Sequence, residues 1–205
     1  MSEARNPSLS YTQTSWYFPR LAMIAYPVSA SKNDLLKIGN KDAVITVKVF
    51  SSLTCPHCAN FHEKIFNNLK EEYIDTNKVK FEHHSFPLDL AALNAEKILR
   101  CSSSVEKSFQ LLNEIYKKQN EWAVGSDINK INDLIINIGL DLNLEKSKMK
   151  NCLDDDKIQE KILNERIAAQ KKYKIESTPS IFINEKLYKG NHEFKAFKKY
   201  IDKLL

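Results

Sequence analysis

Glycine is scarce in this chain: 4 in 205 residues, with 6 prolines beside it. That excludes collagen-like repeats and Pro/Gly-rich low-complexity sequence. The 4 cysteines are too few for a small fold held together by disulfides, and they do not form two paired zinc knuckles. Arginine is nearly missing. The chain has 31 basic residues and a formal net charge of +5, yet only Arg5, Arg20, Arg100 and Arg166 are arginines. Planar, bidentate recognition of phosphates and bases leans on Arg, so nucleic acid is not an expected partner. No run approaches the ~20 apolar residues needed to span a bilayer. What is present is 42% hydrophobic and 10% aromatic, enough for a packed core and against wholesale disorder. The length fits one domain with an insertion, or two small domains.

Residues 1–31 read differently from the rest. They hold Arg5 and Arg20, a single acid (Glu3), and an uncharged run from Leu21 to Val28 followed by Ser29-Ala30-Ser31. Small residues at 28 and 30 have the spacing a signal peptidase reads, with cleavage after Ala30. The alternative is an arm that lays Trp16, Tyr17 and Phe18 on the domain surface.

Val44-Ile-Thr-Val-Lys-Val-Phe50 is apolar or β-branched at nearly every position, as in a strand buried on both faces. Cys55-Pro56-His57-Cys58 follows, and then Phe61, Ile65, Leu69 and Tyr73 mark one face of a helix. In the context of strand, CxxC and amphipathic helix, a CxxC signifies redox chemistry. Cys55 precedes the first helical turn, where unpaired N–H groups and the helix dipole stabilise an anion. Pro56 suits that turn because its missing N–H would be unpaired anyway. His57 adds a cation beside the sulfur. Together these favour a Cys55 thiolate, and a stabilised thiolate makes the corresponding disulfide a strong oxidant. Cys58, one turn in, resolves mixed disulfides. Three other readings stay open. The pair is half a zinc site completed by His62 and His83 or His84, a static disulfide, or a copper-handling pair.

Downstream, Thr178-Pro179 opens a strand, Ser180-Ile-Phe-Ile-Asn184. A turn at Asn184-Glu185, a short strand Leu187–Gly190 and a helix from His192 to Leu205 complete the chain. A proline opening a strand is confined to an edge, a first position or a bulge.

Taken together, Phe50-Ser51 leading into Cys55-Pro56-His57-Cys58, and Thr178-Pro179 with its strand, resemble the DsbA family of bacterial thiol:disulfide oxidoreductases within the thioredoxin superfamily. The resemblance spans Lys32 to Leu205. It implies an α/β class, a thioredoxin-like fold with an inserted helical domain, over 32–87 and 176–205 with the insertion at 88–175. It implies Cys55 as the exposed nucleophile, Cys58 as the buried resolving thiol, and Pro179 as a cis-proline facing them. Thr178 then offers backbone hydrogen bonds to an extended substrate segment.

Within the insertion, helical periodicity agrees. Asp89 caps a first helix. Ser103 and Glu106 form a capping box ahead of a stripe of Val105, Phe109, Leu112 and Tyr116. Asp127 or Ser126 caps a helix bearing Ile128, Ile131, Ile135 and Ile138 and closed by Gly139. Asp154–Asp156 start a long helix to about Tyr173. A subgroup of the family carries a second disulfide in this domain, and Cys101 and Cys152 resemble it.

Two positions depart from the resemblance. Thioredoxin-like proteins bury an acid six residues before the first cysteine, where this chain has Val49; Glu82, His83 and His84 on the next strand are the substitutes. Thr178 before the proline resembles disulfide isomerases as much as the best-known oxidase, which has Val there. The expectation is an exported, periplasmic, monomeric oxidoreductase without metal or cofactor. It introduces disulfides into folding proteins with free cysteines and is reoxidised by a DsbB-like, quinone-linked membrane partner. A disulfide isomerase or reductase on the same fold, or a Cys/His metal carrier, is the alternative.

Overall fold

The computed structural model describes residues 35–102 and 104–205. The leader or arm read in 1–31, and Ser103, lie outside the described residues. In chain order come β1 (Leu36–Ile38), β2 (Ile45–Ser51) and a long helix α1. The helix starts as Pro56–Phe61 and continues through His62–Phe66, Asn67–Leu69 and Lys70–Ile74. β3 (Val79–Ser85) follows. Then the chain makes only helices: α2 (Leu90–Leu99), α3 (Val105–Lys117), α4 (Gln119–Trp122), α5 (Ile128–Asp141), α6 (Lys146–Leu153) and α7 (Asp156–Tyr173). It returns to β4 (Ser180–Ile183) and β5 (Lys186–Leu187) and closes with α8 (Phe194–Asp202).

The five strands form one sheet in the order β1-β3-β2-β4-β5. β2 and β3 are parallel and every other pair is antiparallel. Strand alternation divides the sheet into two faces. On one, Ile45, Val47 and Val49 of β2 lie beside Val79, Phe81 and His83 of β3. Their core includes Phe61, Ile65, Leu69 and Tyr73 of α1, Phe109 and Leu112 of α3, and Phe197 and Ile201 of α8. On the other face, Phe50 and Phe182 pack with Phe86, Ala169, Ile175 and Tyr173, so the far end of α7 covers that side.

The pieces His62–Phe66 and Lys70–Ile74 have π-type turns, and the sequence accounts for them. A hydrophobic repeat of exactly four residues drifts roughly 40° per step around an α-helix of 3.6 residues per turn. Wider i→i+5 turns cancel that drift, and Phe61, Ile65, Leu69 and Tyr73 all end up buried.

The predicted elements shift in places. β2 begins one residue later than expected, because Val44 is 73% exposed. The strand expected at Leu187–Gly190 is the shorter Lys186–Leu187, overlapping it at Leu187, and the last helix starts at Phe194. The cap of α3 is Ser104, whose Oγ accepts from Lys107 N at 3.2 Å. Asp89, Asp127 and Asp155 cap α2, α5 and α7. Gly139 does not end α5. It lies inside the helix, where a Cβ would stand 2.3 Å from Met149 Sδ, so its role is close approach to α6. Asn143, with φ 58°, makes the turn after α5. Cys101, just past α2, is joined to Cys152 near the end of α6, with Cα atoms 6.2 Å apart.

Candidate active site

The parallel β2 ends at Ser51, and the loop after it delivers Cys55 to the N-cap of α1 in an extended conformation (φ −81°, ψ 119°) with Pro56 at the first turn. The amides of Cys58 and Ala59 donate to the Cys55 carbonyl at 3.0 and 3.2 Å. Two other elements hold the loop. Thr54 Oγ1 donates to Asp89 Oδ2 at 2.7 Å, so the residue that caps α2 also ties down the turn. From α4, Gln119 Nε2 donates to the carbonyls of Leu53 (2.7 Å) and Cys55 (3.1 Å).

Both cysteines are free thiols. Cys55 is the more accessible, but at 9% exposure it is more enclosed than an exposed nucleophile was expected to be; Cys58 is 1% exposed. The Thr178–Pro179 peptide bond is cis, and the Cys55 thiol donates to the Thr178 carbonyl at 3.3 Å. Thr178 Oγ1 is buried without a hydrogen-bond partner, a donor free for whichever sulfur carries charge.

The two sulfurs are driven apart in acidity. The Cys58 thiol beside it, then Thr178 and the backbone N–H groups of Cys58 and His57, bring the Cys55 pKa down to about 5 against the opposing effect of burial. Burial, then the interaction with Cys55, pushes Cys58 far above the ordinary thiol range. The His57 backbone N–H is among the groups that favour the Cys55 thiolate, and the His57 side chain is exposed.

The other histidines are engaged elsewhere. His62 pairs with Asn113. His83 Nε2 meets Glu96 Oε1 at 2.8 Å, and His84 Nε2 meets Glu82 Oε2 at 3.0 Å. Strand parity places Glu82 and His84 on the face away from Cys58, with the His84 ring 4.6 Å from Phe50. Of the three substitutes for the acid missing at Val49, only His83 shares the cysteines' face, directly beside Val49 in the ladder. Among the described residues no group of three or more His, Cys, Asp or Glu is gathered to hold a metal ion.

Sequence reasoning missed Gln119 and Glu96. Glu96 is fully buried, held by His83 and by the Ser85 hydroxyl at 2.8 Å. Glu96 gave no signal in a helix read only for its cap. Gln119 stands three residues beyond Tyr116, in line with an apolar stripe, and that spacing was the available hint.

Comparison with known proteins fits this geometry. A family model described as thioredoxin matches residues 31–203. A Rickettsia bellii protein that carries the name protein-disulfide oxidoreductase is 34% identical over 188 residues, 91% of this chain and 70% of that protein. The crystal structure of Wolbachia pipientis alpha-DsbA1 superposes with a TM-score of 0.78 at 31% identity, over 83% of this chain and 90% of that one. The chain belongs to the DsbA family of thiol:disulfide oxidoreductases. A Bacillus anthracis relative, named as disulfide bond formation protein D, is 31% identical over 195 residues, 89% of this chain and 81% of its own length. The chain spans between 55% and 70% of the lengths of the Rickettsia relatives it matches. As a DsbA member it has the thioredoxin-like fold with an inserted helical domain, α2–α7 being the helices between β3 and β4.

Proposed function

We propose that this DsbA-family chain is an exported dithiol oxidase that donates the Cys55–Cys58 disulfide to folding proteins in the periplasm. The observation that carries the reading is the split between the sulfurs: Cys55 held down at about 5 and Cys58 pushed up. A stabilised Cys55 thiolate favours the reduced pair, and what favours the reduced pair makes the disulfide oxidising. In this reading a substrate thiolate attacks Cys55, Cys58 leaves, and a second substrate thiolate releases the product disulfide. Pro56 and His57 shape the turn. Thr178 and Pro179 receive the substrate segment, and Cys101–Cys152 ties α2 to α6 as a structural bond. Residues 32–87 and 176–205 form the sheet unit that the insertion 88–175 covers. A DsbB-like, quinone-linked membrane protein reoxidises the pair, and the protein works as a monomer.

The deciding measurement is the equilibrium constant of the Cys55–Cys58 couple with glutathione. An oxidising couple, well above the thioredoxin potential, is expected. A couple as reducing as thioredoxin overturns the oxidase reading in favour of a reductase.

A further inference from the structure

Breaking the Cys55–Cys58 bond places an electron pair on Cys58, a sulfur that is 1% exposed and therefore all but cut off from water. Burial raises the energy of charge on that sulfur, so a hydrogen-bond donor inside the protein is needed. Among the described residues three buried side-chain atoms lack a partner: Tyr116 Oη, Arg166 Nε and Thr178 Oγ1. Arg166 lies over the Phe86 ring in the cluster on the opposite face. Thr178 Oγ1 and the Ser52 backbone already favour charge on Cys58 from the side of the reactive loop, but not enough to bring its acidity back toward that of Cys55. Tyr116 is left.

Its position is fixed from two sides. Cys58 and His62 are four residues apart on α1 and share a helix face. The Tyr116 ring packs on the His62 ring with centroids 4.9 Å apart. Three residues beyond Tyr116, Gln119 grips the carbonyls of Leu53 and Cys55. Tyr116 is thus held between the turn that follows Cys58 and the loop that carries Cys55, in the core it shares with both. The hydroxyl of Ser51 is near its own, outside hydrogen-bond geometry. The titratable groups around it are Cys55, Cys58 and His62 of α1, and Glu96 of α2 with its partner His83 of β3. Burial holds His62 down at about 4 and hence neutral. Burial opposes charge on Glu96, but His83, then Arg100 and Ser85, keep it a carboxylate. Burial, then Cys58 and Glu96, raise the Tyr116 phenol well above its usual range, so it keeps its proton and acts as a donor. A buried tyrosine hydroxyl normally finds a partner.

We propose that Tyr116 is a further internal hydrogen-bond donor to Cys58 during disulfide exchange, beside Thr178 and the Ser52 backbone, its O–H turning onto the sulfur as the Cys55–Cys58 bond breaks. This rests on the oxidoreductase reading above. When the bond is donated, a substrate thiolate attacks Cys55 Sγ. The new S–S bond forms as Cys55–Cys58 breaks, and the electron pair goes to Cys58 Sγ. The substrate sulfur is oxidised and Cys58 is reduced. Cys58 then takes up one proton, matching the proton the substrate thiol released to solvent, while Tyr116 retains its own. In the reverse direction Cys58 loses its proton, attacks Cys55 and expels the substrate thiolate.

Ellman's reagent separates the steps on the full chain with the active-site pair reduced. The first coloured thiolate is released by Cys55 attack, the second by Cys58 resolution. Tyr116→Phe removes one oxygen and keeps the ring. The first phase should be unchanged. The second should slow about tenfold or more near neutral pH, and its pH profile should move up by about one unit, the scale of one hydrogen bond to a charged group. Two wild-type phases in the variant overturn the proposal, as does equal slowing of both with a lowered melting midpoint, which marks a packing role. If Tyr116→Phe fails to fold, fluorotyrosine at 116 keeps the hydroxyl and strengthens it as a donor. It should move the second-phase profile down, and an unmoved profile overturns the proposal. A wild-type protein that releases fewer than two equivalents of coloured thiolate from the active-site pair would instead sink the oxidoreductase reading itself.

Discussion

The protein contains two cysteine pairs in opposite surroundings. Cys55 and Cys58 lie one helical turn apart at the start of α1, and the structure holds them as free thiols. Around Cys55 are backbone N–H groups, a second thiol and Thr178, all suited to an anion. Cys101 and Cys152 are 51 residues apart and bonded. Their neighbours are Leu93, Ile158 and Ile162, an apolar wall that disfavours a released thiolate. One bond closes a four-residue ring, the other a long loop. The comparison teaches that the fate of a disulfide is set by what its sulfurs meet when it opens, and by how much chain it constrains.

The largest expected effect lies in the first pair. Cys55→Ser should abolish exchange, and Cys58→Ser should leave mixed disulfides trapped on Cys55, visible as adducts by mass spectrometry. If iodoacetamide near neutral pH labels Cys58 before Cys55 in the reduced protein, the asymmetry described here is wrong. Next in size is the second pair. Cys101→Ala/Cys152→Ala should lower the stability of the oxidised protein by about 4 kcal/mol, the loop-closure value for a loop of this length. A urea midpoint unmoved by the substitution would remove the bond from the stability of the fold.

The third prediction is subtler and uses that double variant as its background. The Cys55 thiol is at about 5 when folded and ~8.5 in an unfolded chain. A depressed acid stabilises the folded state fully above the unfolded pKa and loses that contribution as pH falls through the folded one. Reducing the active site should therefore raise the melting midpoint most near pH ~8.5. The gain shrinks toward acid, with no thiolate contribution below about 5, and shrinks again above ~8.5, where the buried Cys58 stays protonated in the fold but ionises in the unfolded chain. An oxidised form that melts higher at all these pH values would make Cys55–Cys58 an ordinary stable bond.

Much of this was readable in the chain because local chemistry decided it. β-Branched residues marked β2, the four-residue stripe marked α1, and Asp89, Asp127 and Asp155 stood where unpaired helix amides require an acceptor. The reactive turn was legible because its residues are contiguous. What escaped notice depends on contacts between distant segments. Glu96 joins His83 only once α2 packs on β3, and the short edge strand Leu36–Ile38 exists only because β3 offers it a partner. Gly139 looked like a helix end because glycine usually is one, and only the sulfur of Met149 shows otherwise. Tyr116 was placed on the packing stripe, and periodicity says nothing about where its hydroxyl points.

The two hydrogen bonds from Gln119 to the carbonyls of Leu53 and Cys55 have a bearing on how such a protein can be altered. The helical layer completes the polar valences of the loop that carries the reactive sulfur. Cutting α2–α7 out to make a minimal sheet domain would therefore take the Gln119 donor from the Leu53 carbonyl and leave the Cys55 carbonyl with only the amides of its own helix. The loop would relax to find water, and the Cys55 acidity would relax with it. Any shortened descendant of this chain must first replace the grip of one glutamine.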